Sequence, residues 1–217
     1  MATSEPIAEV ANSAPGMTAR QRLIIVLLLG ANFMLSADFS ILNIALPVVG
    51  EAVGLDVINL PWVTTTFALP ATGLSLLFGR LGDLYGRRRI FLAGLSLLTA
   101  ASLLGGISTG PASLLAARAL QGVASAMTAP AALSLLITTF ADERQRARVL
   151  GLNGSLLSAG FTFGALAGGM LVGVLRWRWA FLINVPVALV VLVLTPIVVP
   201  AGRSTERVRP TFRARHP

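Results

Sequence analysis

Residues 79–89 read Gly-Arg-Leu-Gly-Asp-Leu-Tyr-Gly-Arg-Arg-Arg, with long apolar runs on both sides. The segment carries five charges in eleven residues: Arg80, Asp83, Arg87, Arg88 and Arg89. Four guanidinium groups cannot rest in hydrocarbon, where a single charge at the bilayer centre costs about 2.5–3.5 kcal/mol on insertion scales. The stretch therefore reads as a turn at a membrane surface. Gly79, Gly82 and Gly86 permit a tight reversal and close helix approach, and Asp83 is the lone acid among the cations. Basic loops stay on the cytoplasmic side, so the same turn sets which way up the chain lies. Taken alone, the arginines are also compatible with a positive-inside loop that has no further role.

Composition agrees with a membrane environment. The chain has 217 residues, of which 55% are hydrophobic and 12% charged, and its mean hydropathy is +0.80. A soluble domain carries about 25% charged residues. A span takes roughly 20 apolar residues, so the length accommodates about six with short loops. There is no cysteine and a single histidine, His216 in the tail, which argues against a disulfide framework and a buried transition-metal site. The net charge of +8 comes from arginine, since the chain lacks lysine. A phosphate-cradling loop that needs a lysine is thereby excluded. The arginines fall between apolar runs and not on one soluble face, so they report topology and do not indicate a nucleic-acid partner.

Taken in order, residues 1–22 read as a disordered cytoplasmic tail. Spans follow at about 23–46, 60–78, 90–108, 112–139, 149–175 and 179–199, within one transmembrane domain over 23–200. Residues 201–217 form a basic cytoplasmic tail. A signal peptide competes for the first span, because Arg20 and Arg22 precede a short apolar core and Ser36-Ala37 could mimic a cleavage site. Hydrophobicity resumes past Asp38, which favours a true helix. With both termini inside, cytoplasmic segments hold fourteen arginines and external loops only Arg176 and Arg178. The expectation is an all-α membrane protein of six transmembrane helices with both ends cytoplasmic.

Polar residues inside the spans are the candidates for function. Asp38 lies well within the first apolar stretch, where an ionisable group calls for a partner, water or a role. Asn32, Ser36, Ser40 and Asn43 share one helical face, and Asp38 points about 120° or more away from it. Either the helix distorts before Pro47 or it borders two separate polar environments; an interfacial Asp38 near the outer end is the plainer alternative. In the fourth span Arg118 is followed on one face by Gln121, Gly122, Ser125 and Ala129. Small residues beside an arginine let a neighbouring helix come close and wall the guanidinium. A structural arginine bonded to backbone carbonyls is the alternative there. In the fifth span Gly160, Gly164 and Gly168, followed by Gly169, suit tight helix packing, which alone could be structural. Trp62, Trp177 and Trp179 suit membrane interfaces.

The pattern Gly79-x-Leu81-x-Asp83-x-x-Gly86-Arg87-Arg88-Arg89, between a second and a third span, resembles the loop between helices two and three of the major facilitator superfamily of transporters. Residues 38–47 resemble the first-helix motif of its fourteen-helix drug:proton antiporter branch. Leu114-x-x-x-Arg118-x-x-Gln121-Gly122 resembles the family's fourth-helix motif. Residues 160–169 resemble its fifth-helix antiporter motif, with Ala165 where the family usually has proline, and residues 177–186 again look like the fourteen-helix branch.

The resemblance covers only an amino-terminal six-helix half of such a fold, whose substrate path lies between two halves. It implies a gating loop of Gly79, Arg80, Gly82, Asp83, Gly86, Arg87 and Arg88, with Asp83 as latch acid and Arg80 and Arg87 as its partners. It further implies that Asp38 faces a cavity and serves proton coupling or cation recognition, with Asn43 and Gln121 completing the candidate proton and substrate set. An arginine cannot release a proton at working pH, so Arg118 would tune a nearby carboxylate, and Asp38 is the acid available within a span. The implied activity is proton-coupled efflux of drugs or other small hydrophobic or cationic compounds across the cell membrane. No cofactor beyond the proton gradient is called for, and the implied partners are the lipid bilayer, a small-molecule substrate, the proton, and a second six-helix half or a second copy of the chain. A truncated or accessory protein that does not transport, and a facilitator for another small metabolite, are the alternatives.

Overall fold

The computed structural model describes residues 18–140, 142–174 and 176–199. The expected tails, residues 1–17 and 200–217 with His216, lie outside the described residues. Those described form eight α-helices and one 3-10 turn: α1 (Ala19–Val53), the turn Val57–Asn59, α2 (Pro61–Gly73), α3 (Ser75–Tyr85), α4 (Arg87–Gly106), α5 (Pro111–Thr139), α6 (Glu143–Val174), α7 (Trp179–Leu182) and α8 (Asn184–Val198). Among the described residues five helices are long and apolar enough to cross a membrane, and a bent pair, taken as one span, makes a sixth. In hydrocarbon only structures that satisfy their own backbone survive, which is why the spans are helical.

Both ends of the first helix differ from the sequence expectation, and the fifth span also begins earlier, at Glu143 of α6 and not near residue 149. The first helix starts earlier, because Thr18 caps it: Gln21 N donates to Thr18 Oγ1 (3.2 Å) and Thr18 N donates to Gln21 Oε1 (2.9 Å). That reciprocal pair satisfies two orphan donors and draws Arg20 and Arg22 into the helix instead of a tail. The helix also runs through Pro47 to Val53 rather than stopping at Leu46. Proline removes one backbone donor, yet the helix continues and ends where Gly54 turns left-handed (φ 76°) and donates back to Glu51 O. At that φ a residue with a Cβ is strained, so Gly54 is the stop.

The second span is a bent pair. The segments Val57–Gly73 and Ser75–Tyr85 meet at 45°, four residues past Pro70, a residue class that kinks helices. Residues 79–89, expected as a loop, are mostly helical: Gly79, Arg80, Gly82 and Asp83 lie in α3, and Arg87, Arg88 and Arg89 open α4. Gly86 alone makes the turn, at φ 100°. One residue reverses the chain because glycine tolerates that conformation.

The helix α1 packs on α6 along one side and on α5 and α8 along others, while α4 packs on α5 and α8, and α2 on α5. The α1–α6 contact follows the glycine stripe. A Cβ placed at Gly160, Gly164 or Gly168 would stand 2.7, 2.5 or 3.0 Å from the carbonyl oxygens of Phe33, Ala37 and Ile41. Close backbone approach yields dispersion contacts where lipid supplies no hydrophobic force. Gly169, grouped with that stripe from sequence, faces open space and takes no part in it. Of the three tryptophans, Trp62 and Trp179 are exposed as interface residues are, but Trp177 is buried edge-on against Phe181 beneath the Arg178 guanidinium.

Arginines finish the helix ends. Arg20 Nε donates to Val198 O (3.0 Å) and Arg88 Nη2 to Pro196 O (2.9 Å), so α1 and α4 both serve the last carbonyls of α8. Arg178 Nη2 donates to Ser108 O (3.2 Å) past the end of α4. The last carbonyls of a helix lack intrahelical partners and carry partial negative charge, which cations satisfy.

The glycine stripe makes a discriminating prediction. Gly164→Val should destabilise the chain by about 1–3 kcal/mol through overpacking, and Gly169→Ala should be close to neutral. Unfolding of the two variants in detergent micelles, followed by circular dichroism, checks the difference.

Candidate functional site

Two apolar cores occupy the bundle. One gathers residues from Ile24 to Leu35 of α1 with Phe91, Leu98, Ala124, Leu136 and Ala188. The other gathers residues from Ile41 to Val53 of α1 with Val63, Leu114, Ala180 and Phe181. Each of α1, α5 and the α7–α8 pair changes core along its length, and at each change a polar side chain faces inward: Asp38, Arg118 with Gln121, and Asn184. Ser102 of α4 joins the same layer. All five are buried, with Asp38 and Arg118 each only 1% exposed.

The layer is a closed hydrogen-bond network. Arg118 Nη1 donates to Asp38 Oδ2 (3.2 Å) and to Gln121 Oε1 (2.8 Å). Arg118 Nε donates to Val63 O of α2 (3.3 Å), and its guanidinium carbon lies 4.3 Å from the centre of the Phe67 ring. Gln121 Nε2 passes a hydrogen bond on to Ser102 Oγ (3.0 Å). The second carboxylate oxygen of Asp38 accepts from Asn184 Nδ2. Five helices thus meet on one ion pair.

Local sequence explains how the partners reach it. Arg118 and Gln121, three apart on α5, lie on one helix face, and Gly122 beside them leaves room for α2: a Cβ there would meet the Phe67 carbonyl oxygen and the Pro70 ring. With the backbones this close, Val63 and Phe67, one turn apart on α2, both bear on the guanidinium. A buried charge is tolerable only when paired and hydrogen-bonded. Here the carboxylate has two donors and the guanidinium has an anion, two neutral acceptors and a ring face.

The structure brings together three of the four residues expected for coupling and substrate. Asn43 stands apart: it is exposed, donates to its own helix at Phe39 O (2.7 Å), and accepts from Thr64 Oγ1 at 3.5 Å. The stripe that contains it resolves the choice left open by the sequence, because α1 borders two polar environments. Asn32 Nδ2 donates to Asn153 Oδ1 (2.8 Å) and Ser36 Oγ to Leu157 O (2.6 Å), tying α1 to α6, while Asp38 faces α5 and α8. At the turn, Asp83 pairs with Arg87 (2.8 Å), and Arg87 Nη1 reaches Ser134 O of α5 (3.4 Å). Arg80, the other expected partner of Asp83, is exposed and bonds with neither.

Sequence reasoning missed Asn184, Ser102 and Phe67 as members of the site. Asn184 had a usable signal, an amide at the head of the strongly apolar α8. Ser102 had none, because serines in helices usually bond back to their own turn. Among the described residues no group of three acids or histidines stands close enough to hold a metal ion.

Comparison with known proteins gives a consistent picture. A family model described as Major Facilitator Superfamily matches residues 28–216. The chain is 43% identical over 183 residues to the puromycin resistance protein pur8 of Streptomyces alboniger, covering 84% of this chain and 36% of that protein. It is 41% identical over 187 residues to the cephamycin export protein CmcT of Amycolatopsis lactamdurans, covering 85% and 38%. It therefore spans rather more than a third of the length of these relatives. The crystal structure of the human organic anion transporter MFSD10 superposes with a TM-score of 0.66 at 19% identity, over 85% of this chain and 48% of that one, a likeness of fold.

Breaking the pair one side at a time should be severe. Removal of one partner of a buried ion pair costs about 3–5 kcal/mol because the other charge is stranded. Arg118→Met should lose stability on that scale, and Asp38→Leu combined with Arg118→Met should lose less than the two single variants summed. A double-mutant cycle measured by unfolding in micelles checks the non-additivity.

Proposed function

The chain belongs to the Major Facilitator Superfamily, a family of multi-pass membrane transporters, and on that premise we propose that it forms the amino-terminal half of a proton-coupled exporter of small hydrophobic or cationic compounds. The observation that carries the reading is the Asp38–Arg118 pair, a carboxylate and a guanidinium on separate membrane-spanning helices, shut inside a polar layer. A packing device would be better served by apolar residues of similar volume, which are often neutral or stabilising in place of a buried ion pair. Retention of the charges points to a task that needs them. The relatives, a puromycin resistance protein and a cephamycin export protein, support export of small organic molecules.

In this reading Asp38 is the group that binds and releases the proton. When it is charged, Arg118 holds it and α1 is drawn to α5. When it is protonated, the attraction is gone, and Arg118 keeps Gln121, the Val63 carbonyl and the Phe67 ring. Protonation thus changes what ties α1 to α5 and α8, and the two states of the carboxyl become two states of the bundle. A substrate cation could take the place of the proton by the same charge logic. A cavity for it would be completed by a second six-helix half or a second copy of the chain. The clustering of arginine at the α3–α4 turn supports a cytoplasmic position for that end, and so for both termini, in the cell membrane. There Asp83 and Arg87, with Ser134 of α5, would latch one of the access states, with the energy taken from the proton gradient.

Asp38→Asn keeps the size and removes the charge. In a transport-competent assembly containing this chain, efflux of a fluorescent lipophilic cation driven by an imposed proton gradient should fall to background. Efflux equal to that of the parent chain would remove Asp38 from the coupling mechanism.

A further inference from the structure

The ion pair is sealed on the α2 side by aromatic rings. Phe67, 6% exposed, presents its ring to the Arg118 guanidinium, whose carbon lies over it. Phe39 of α1, half-buried, stands outside it with ring centroids 5.7 Å apart. Close to the two rings Asn43 and Thr64 are paired across the α1–α2 seam, and Asn43 is exposed. Exposure falls from Asn43 through Phe39 to Phe67 and then to Arg118, which holds Asp38. Among the described residues the charged group facing Asp38 from the elements packed on it is Arg118; Asn184 of α8 is its neutral donor, and Gln121 of α5 accepts from Arg118.

The helix that carries Phe67 has a built-in bend. Pro70 follows Phe67 by three residues, and the 45° break lies at residue 74. The α2 segment is fastened to α5 where Gly122 admits the Phe67 carbonyl and Pro70, and where Arg118 Nε holds Val63 O. A shift of α2 at that seam would move the ring off the guanidinium and take away one of its acceptors together.

We infer that Phe67, backed by Phe39, is a positioning residue that covers the Asp38–Arg118 pair and governs when water and protons reach Asp38 from the α1–α2 seam. The inference deepens the exporter reading by naming the side from which its carboxylate becomes wet. An aromatic ring suits this place better than an aliphatic chain, since its face attracts the guanidinium while its edge excludes water.

The test reads water access directly and requires no transport. The full chain, reconstituted in lipid vesicles, is treated with a water-soluble carbodiimide and glycinamide, and amide formation at Asp38 is followed by mass spectrometry. Asp38 in the parent chain should be protected. Phe67→Ala should be labelled about tenfold faster or more, a factor that corresponds to about 1.4 kcal/mol of opening free energy. Phe67→Tyr should restore protection. Phe91→Ala, at a fully buried ring in the core away from the pair, should label at the parent rate. Labelling of Phe67→Ala at the parent rate overturns the inference, and so does an equal rise in Phe91→Ala, which would mean general loosening. If Phe67→Ala does not fold, Phe39→Ala replaces it, with a smaller rise expected and no rise contradicting the cover. A chain that fails to transport can still show this protection, so a failed cover and a failed exporter reading are told apart.

Discussion

The bundle is organised by the difficulty of burying charge. A carboxylate and a guanidinium out of water each carry a desolvation penalty of several kcal/mol, and only close pairing with extra hydrogen bonds compensates. Asp38 of α1 and Arg118 of α5 meet that condition by drawing in Asn184 of α8, Gln121 of α5, and the Val63 carbonyl and Phe67 ring of α2. Ser102 of α4 closes the network through Gln121. The axial register of five helices follows, because sliding any one of them strands a buried polar atom. The same layer divides the apolar interior into two cores. It is also the place where one proton would change the interactions of the most elements.

Around that layer the helices are held by close approach, since lipid and side chains are equally apolar. Gly160, Gly164 and Gly168 let α6 lie on α1, and Gly122 lets α2 lie on α5. At the end of α8, where backbone carbonyls run out of partners, arginine supplies the donors, Arg20 from α1 and Arg88 from α4, while Arg87 reaches the Ser134 carbonyl one turn inside α5. The basic end of the molecule therefore does two jobs. Its charge marks a membrane face, and its guanidinium groups tie helix termini together.

Much of this was legible in the sequence because the costly features are rare. A lone acid and a lone arginine within apolar spans stand out without coordinates, and the structure joins them. The glycine spacing on α6 pointed to its partner face, except at Gly169, where nothing in spacing alone says that the helix surface has turned to open space. The neutral members were harder. Asn43 shares a face with Asn32 and Ser36, yet it is exposed at the α1–α2 seam, because helical periodicity gives direction and not depth. Ser102 resembles every other helical serine. Pro47 suggested a helix end, but α1 runs past it, since loss of one donor is tolerable in a long helix with neighbours on several sides. The turn at 79–89 was compressed to Gly86 because glycine can reverse direction alone, and polar residues around it can remain helical at a surface.

The most direct test of the account is a distance between two side chains in a lipid bilayer. With carbon-13 in the aspartate carboxyls and nitrogen-15 in the arginine guanidinium groups, dipolar solid-state NMR reports the separation of Asp38 and Arg118, with Asp38→Asn used to assign the signal apart from the Asp83–Arg87 pair. The account predicts strong dephasing from a contact on the order of 4 Å, as an ion pair requires. An Asp38 carboxyl signal with no nearby guanidinium nitrogen would contradict it.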